Sequence, residues 1–147
     1  MKKIMMMLAL VVTLTTTYAF TGEETINKQT LKAFKTEFAS ATDAAWTVGN
    51  DYYKVTFTMN QQKLFAYYST TGEFMAVTRF ISSFNLPINL QSNLKKSYSN
   101  YWISDLFEMA NPDGTAYYVT LETADSKIVL KSADGNKWTL YQKTQKA

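Results

Sequence analysis

Residues 51–58 read DYYKVTFT and residues 116–122 read AYYVTLE. Each stretch opens on a tyrosine doublet and continues with apolar residues at every second position. Side chains of a strand alternate between its two faces, so each doublet is split. Tyr53, Val55 and Phe57 share one face, as do Tyr117, Val119 and Leu121. Tyr52 and Tyr118 fall on the other. A doublet that recurs in the same register points to an internal duplication, and the rest of the chain follows it.

Upstream of each doublet lies one helical pattern. In NKQTLKAFKTEFAS, Leu31, Phe34 and Phe38 recur at i, i+3 and i+7; in LPINLQSNLKKSYSN, Leu90, Leu94 and Tyr98 recur at i, i+4 and i+8. Asn27 is the expected N-cap of the first, with Ile26 and Leu31 spaced for a hydrophobic staple. Pro87 suits the first turn of the second, where its missing N–H costs nothing. Downstream, Lys63–Tyr67 corresponds to Ser126–Leu130, and Gly72 in STTGE to Gly135 in SADGN. Turn signals VGND, MNQQ, STTGE, NPDG, TADS and SADGN punctuate the alternating runs. The expected fold is α+β: two tandem αββββ repeats, about residues 27–82 and 84–143, forming one curved, roughly eight-stranded antiparallel sheet with both helices on one face.

The first residues, MKKIMMMLALVVTLTTTYAF, carry Lys2 and Lys3 ahead of an apolar run from Ile4 to Leu14 that is too short to span a bilayer comfortably. Thr17 and Ala19 sit at −3 and −1 of a cut before Phe20. This predicts a signal peptide over residues 1–19, a mature domain over 20–147, and a periplasmic or secreted protein. No cysteine follows the apolar run, so no lipoprotein anchor is expected, and no second apolar run offers a membrane anchor in the mature chain.

Composition narrows the chemistry. The 147 residues hold no cysteine and no histidine. Ser-His-Asp and Cys-His nucleophile systems, His-ligated haem and nearly every usual zinc site are therefore excluded, as is the default acid/base group near neutral pH. The net charge of +3 falls to +1 without Lys2 and Lys3, which argues against nucleic acid as a partner. Without disulfides an exported domain rests on its core, and the aromatics supply one.

The carboxylates Asp43, Asp51, Asp105, Glu108, Asp113 and Asp134 are the candidates for histidine-free acid/base work. Most stand in turns beside Gly, Asn or Pro, where Asp is the ordinary turn residue, and Asp105 and Glu108 differ in strand parity. SADGN lacks the ligand spacing of a calcium loop, and no phosphate-binding glycine motif exists. No cofactor and no catalytic activity are expected.

The helix ending LKAFKTEFASAT, the tryptophan strand AAWTV, then DYYKVTF, FAYYSTTGEF, NLPINLQSNLKKSY and AYYVTLE…SADGNKW together resemble the secreted PepSY-like family of Gram-negative bacteria, also described as beta-lactamase-inhibitor-protein-like (BLIP-like). The resemblance covers about residues 27–143. It implies an eight-stranded antiparallel sheet with both helices on one face. The family's name borrows from an inhibitor whose concave sheet grips an enzyme, an analogy of fold alone.

Parity along the strands sorts the aromatics. With Ile128 and Leu130 taken as inward, Phe65 and Tyr67 are expected inward, and Leu64 and Tyr68 outward. With Trp138 and Leu140 inward and Tyr141 outward, Met75 and Val77 are expected inward, and Phe74 and Phe80 outward. The helix-free face then carries Tyr52, Leu64, Tyr68, Phe74, Phe80, Tyr118 and Tyr141, a candidate surface for an envelope or secreted protein partner. The same pattern serves sheet stability through cross-strand pairs. A small-molecule carrier or cavity enzyme with a pocket between helix and sheet, and a structural envelope protein, are the alternative readings.

Overall fold

A computed structural model describes residues 22–147. The expected signal peptide and its cut before Phe20 lie outside the described residues. Two helices, α1 (Lys28–Glu37) and α2 (Ile88–Ser97), alternate with two sets of four strands. The strands are β1 (Thr42–Val48), β2 (Tyr52–Met59), β3 (Gln62–Ser69), β4 (Phe74–Phe80), β5 (Trp102–Asn111), β6 (Gly114–Glu122), β7 (Ser126–Ser132) and β8 (Thr139–Gln145). They form one open antiparallel sheet in which spatial order follows chain order, β1 to β8. The fold is α+β, as expected. By compactness the chain divides into two units, residues 22–59 with 66–75, and residues 60–65 with 76–147.

In the first unit α1 starts where Asn27 caps it. The Asn27 Oδ1 accepts from the backbone N–H of Thr30 at 2.8 Å, and its Nδ2 donates to the carbonyl of Thr70 at 2.7 Å. The cap thus ties the helix to the turn between β3 and β4. Gly72 in that turn has φ +90, and a Cβ there would stand 2.9 Å from Gln29 Cγ. Both the backbone conformation and the close approach require glycine. The helix packs through rings: Phe34 lies 5.4 Å from Trp46 and 5.1 Å from Phe57, and Phe38 lies 4.8 Å from Phe57.

In the second unit the core is aliphatic. Leu86, Leu90 and Leu94 from the α2 segment pack on Leu106, Val119, Leu121, Ile128 and Leu130. Tyr117 and Trp138 lie against this cluster, and Trp138 Nε1 donates to the carbonyl of Leu90 at 3.1 Å. Leu140, expected inward, stands opposite Leu130 but on the edge strand, and remains 62% exposed.

The expected faces of β3 and of the start of β4 are reversed. Tyr68 packs on Trp46 at 6.2 Å and on Phe74 at 5.7 Å, and Phe74 reaches Phe38 at 6.2 Å. Tyr68 and Phe74 therefore belong to the α1-facing core, and Leu64, two steps of alternation from Tyr68, shares its side. Phe65 and Tyr67 take the other side, where Tyr67 lies 6.0 Å from Tyr52 and Phe65 lies 5.7 Å from Phe80.

The cause is one residue of register. Two residues, Asn60 and Gln61, both with positive φ, separate β2 from β3. In the second hairpin Thr123 donates to the carbonyl of Ser126 across the pair Ala124-Asp125. Equal loops keep the offset that matches Phe57 with Leu121, so Leu64 takes the place of Ile128 and Ala66 that of Leu130. Matching Phe65 with Ile128 slips the strand by one, and a slip of one inverts every side chain.

Candidate functional site

The tyrosine doublets divide between faces as expected, but burial does not follow. Tyr52 is 5% exposed and Tyr118 is 1% exposed, whereas Tyr53 and Tyr117 are half-buried. The aromatics directed away from the helices are packed against one another, in each unit by itself. In the first unit Tyr52 stands beside Tyr67, and the Lys54 ammonium lies 5.9 Å from the Tyr67 ring centroid.

The second unit carries a longer arrangement on the side of its strands opposite the leucine cluster. Phe65 meets Phe80 edge-on at 5.7 Å. Phe80 is the direct strand neighbour of Phe107. Phe107 stacks on Tyr118 at 5.0 Å with 11° between planes, and Tyr118 meets Tyr141 edge-on at 5.7 Å. The Lys131 ammonium stands 5.6 Å from the Tyr118 centroid. Such ring pairs contribute roughly 0.5–1.5 kcal/mol each beyond their area. The ladder is thus a rigid scaffold with an exposed member, since Phe80 is 59% exposed.

Of the expected surface residues, Phe80, Tyr118 and Tyr141 gather in this ladder and Tyr52 lies in the first unit's pair. Leu64, Tyr68 and Phe74 do not join them. Phe65 and Phe107 belong to the ladder and were not expected there. Phe107 follows Leu106 directly, so apolar alternation around it is ambiguous, and its pairing with Tyr118 is the signal that places it.

Burial pushes the hydroxyls of Tyr118 and Tyr68 well above the ordinary tyrosine range, with smaller contributions from Tyr141 and Glu37 respectively. Neither hydroxyl has a hydrogen-bond partner among the described residues. Burial also raises Tyr141. These groups remain protonated near neutral pH and offer no base.

The carboxylates are dispersed. Glu108 forms an ion pair with Arg79, whose Nε donates at 3.1 Å, while Arg79 Nη1 donates to Gln62 at 2.8 Å. Asp134 accepts from the amides of Asn136 and Lys137 within its own turn. Asp105 lies in a groove beside Phe80, and burial raises its pKa against the opposing effects of the Leu106 amide and Lys127. Among the described residues no three carboxylates gather where they would hold a metal ion. No helix among them is long and apolar enough to cross a membrane.

No family model and no curated protein matches the chain. Solved structures do. A BLIP-like protein from Bacteroides fragilis superposes with a TM-score of 0.70 at 20% identity, covering 81% of this chain and 85% of that one. DUF2874 family proteins from Bacteroides uniformis and Bacteroides ovatus match with TM-scores of 0.71 and 0.72 at 14% and 17% identity. They cover 81% and 82% of this chain, and 88% of each of those. The chain shares the BLIP-like fold that the sequence motifs imply.

Proposed function

We propose that the mature chain is an exported, non-catalytic binding module that engages another envelope or secreted protein through the aromatic ladder of its second unit. The observation that carries this reading is the ladder with Phe80 standing out of it. A set of rings held by mutual contact presents apolar area at low conformational cost, which is what an interface anchor needs. Tyr141 and Lys131 border it with polar tips, matching the amphipathic side chains enriched at interfaces. The solved relative described as BLIP-like is consistent with this reading through its fold. An interface centred on Phe80 would bury about 800 Å² of this chain if it is of ordinary size.

The carrier or cavity-enzyme reading needs free apolar space between helix and strands. In the first unit that space holds Phe34, Phe38, Trp46, Phe57, Tyr68 and Phe74, with neighbouring centroids 4.8–6.2 Å apart. This packing disfavours it.

The test is affinity capture from the native envelope with residues 20–147, beside a second bait carrying Phe80→Ala and Tyr141→Ala. The captured protein is then purified and its affinity for each bait measured. The expected result is a protein held by the first bait and bound at least about tenfold more weakly by the second. Equal affinity for both, or no captured protein, rejects the ladder as the binding surface.

A further inference from the structure

Strand β5 is paired to β6 along its whole length, from Trp102 opposite Glu122 to Asn111 opposite Gly114. On its other side β4 pairs with it only from Ala110 to Phe107. One further bond follows, from the amide of Ile81 to the carbonyl of Leu106 at 3.1 Å. The chain then turns away into a short 3₁₀ turn, Ser83–Asn85, where Asn85 Oδ1 accepts from the amide and the hydroxyl of Ser82. The first four residues of β5 therefore have a strand on one side only, among the described residues. The space beside them is a solvent-open groove of about 360 Å³, with Phe80–Ser83 as one wall and Ile103–Leu106 as the other.

We propose that this open edge of β5 receives an extended segment of the partner protein as an added strand, with apolar side chains on its two faces resting on Phe80 and on Ile103 respectively and a lysine or arginine against Asp105. The proposal deepens the binding-module reading and rests on it. Unpaired strand edges call for backbone donors and acceptors, which an extended peptide supplies and a compact ligand does not. The apolar contacts are ready, since Ile103 is 43% exposed and lines the same groove as Phe80.

Charge selects the occupant. Asp105 makes no ion pair among the described residues; the nearby Lys127 directs its ammonium to Glu122 at 3.9 Å, and Lys146 meets Glu122 at 2.7 Å. A half-buried carboxylate without a cation is relieved by one that arrives with a ligand. Burial also raises the pKa of Asp105 against the smaller opposing effects of the Leu106 amide and Lys127. The register shift between Ile103 and Asp105 and the half-buried charge of Asp105 are devices that deter indiscriminate edge pairing. They leave the edge open to a strand that brings the complementary charge.

The probe is a displayed library of random twelve-residue peptides selected on immobilised residues 20–147. The most enriched peptide is synthesised and titrated into the ¹⁵N-labelled protein. The expected outcome is a peptide joining β-branched or aromatic residues to a lysine or arginine, shifting the amides of Trp102–Asp105. Asp105→Asn and Ile103→Arg should each weaken it about tenfold, while Asp113→Asn, in the exposed turn at the far end of β5, leaves it unchanged. Enrichment of nothing above bare support, equal binding by the Asp105→Asn and Ile103→Arg proteins, or shifts confined to other amides overturns the proposal. Loss of edge binding with envelope capture still dependent on Tyr141 overturns this inference alone. Edge binding that persists while a bait carrying Tyr141→Ala alone captures normally overturns the ladder alone.

Discussion

The ring of Tyr52 lies against the backbone of Gly49, so closely that a Cβ on Gly49 would stand 2.3 Å from the ring's Cε1. The same two residues close the turn, with the Gly49 amide donating to the Tyr52 carbonyl at 2.9 Å. An aromatic ring over a glycine covers backbone that no side chain of its own can cover. Gly49→Ala forces the ring out and should cost about 2 kcal/mol, an overpacking penalty. Urea unfolding of the single variant and of Gly49→Ala with Tyr52→Leu measures it. The second change should recover part of the loss, and additive losses would show that ring and glycine are not coupled.

The buried hydroxyl of Tyr118 has no hydrogen-bond partner among the described residues. Leaving such a group unsatisfied costs about 1–3 kcal/mol. Tyr118→Phe keeps the stack on Phe107 and removes the orphan, so unfolding should require as much urea as the parent or more. A clear loss of stability would reveal a partner for the hydroxyl.

Asn27 does two jobs, capping α1 and holding the Thr70 carbonyl. Asn27→Ala should lower stability by about 1–2 kcal/mol. Asn27→Asp retains the cap acceptor but cannot donate to Thr70, and should fall between alanine and the parent. Thermal unfolding ranks the three.

Two carboxylates near the start of β5 respond to pH in opposite senses. The hydrogen bond from Lys146 lowers the pKa of Glu122, with help from Ser104. Its contribution is present above the ordinary glutamate value and is lost as pH falls through the lowered one. Burial raises Asp105, so its protonated form favours the fold. That contribution is present below the ordinary aspartate value and is lost as pH rises through the raised one. Glu122→Gln should therefore flatten the acid limb of a stability–pH curve. Asp105→Asn should remove a decline above it and leave the protein folded. Identical curves for parent and variants would contradict both assignments.

Alternation and turn residues carry the architecture in the sequence itself. Val55 and Phe57, matched by Val119 and Leu121, reveal strands of period two. Asn27 marks a helix start, and the tyrosine doublet recurs in β2 and β6. The face of Tyr68 was not readable in the same way. Leu64–Phe65–Ala66–Tyr67–Tyr68 is apolar throughout, so either parity looks reasonable, and the loop of two residues at Asn60-Gln61 decides between them. Parity is a local property of one strand, while register belongs to a pair of strands.

Burial belongs to a still larger set. Composition and spacing assign Tyr118 to the face away from the leucines, and there it lies. That Phe107, Tyr141 and Lys131 close around it until 1% of it remains exposed depends on three other strands and on no feature of its neighbours in sequence. The open edge beside Ile103 has the same origin. It exists because β5 outruns β4 by several residues, and the length of one strand relative to another is set only when the two are paired.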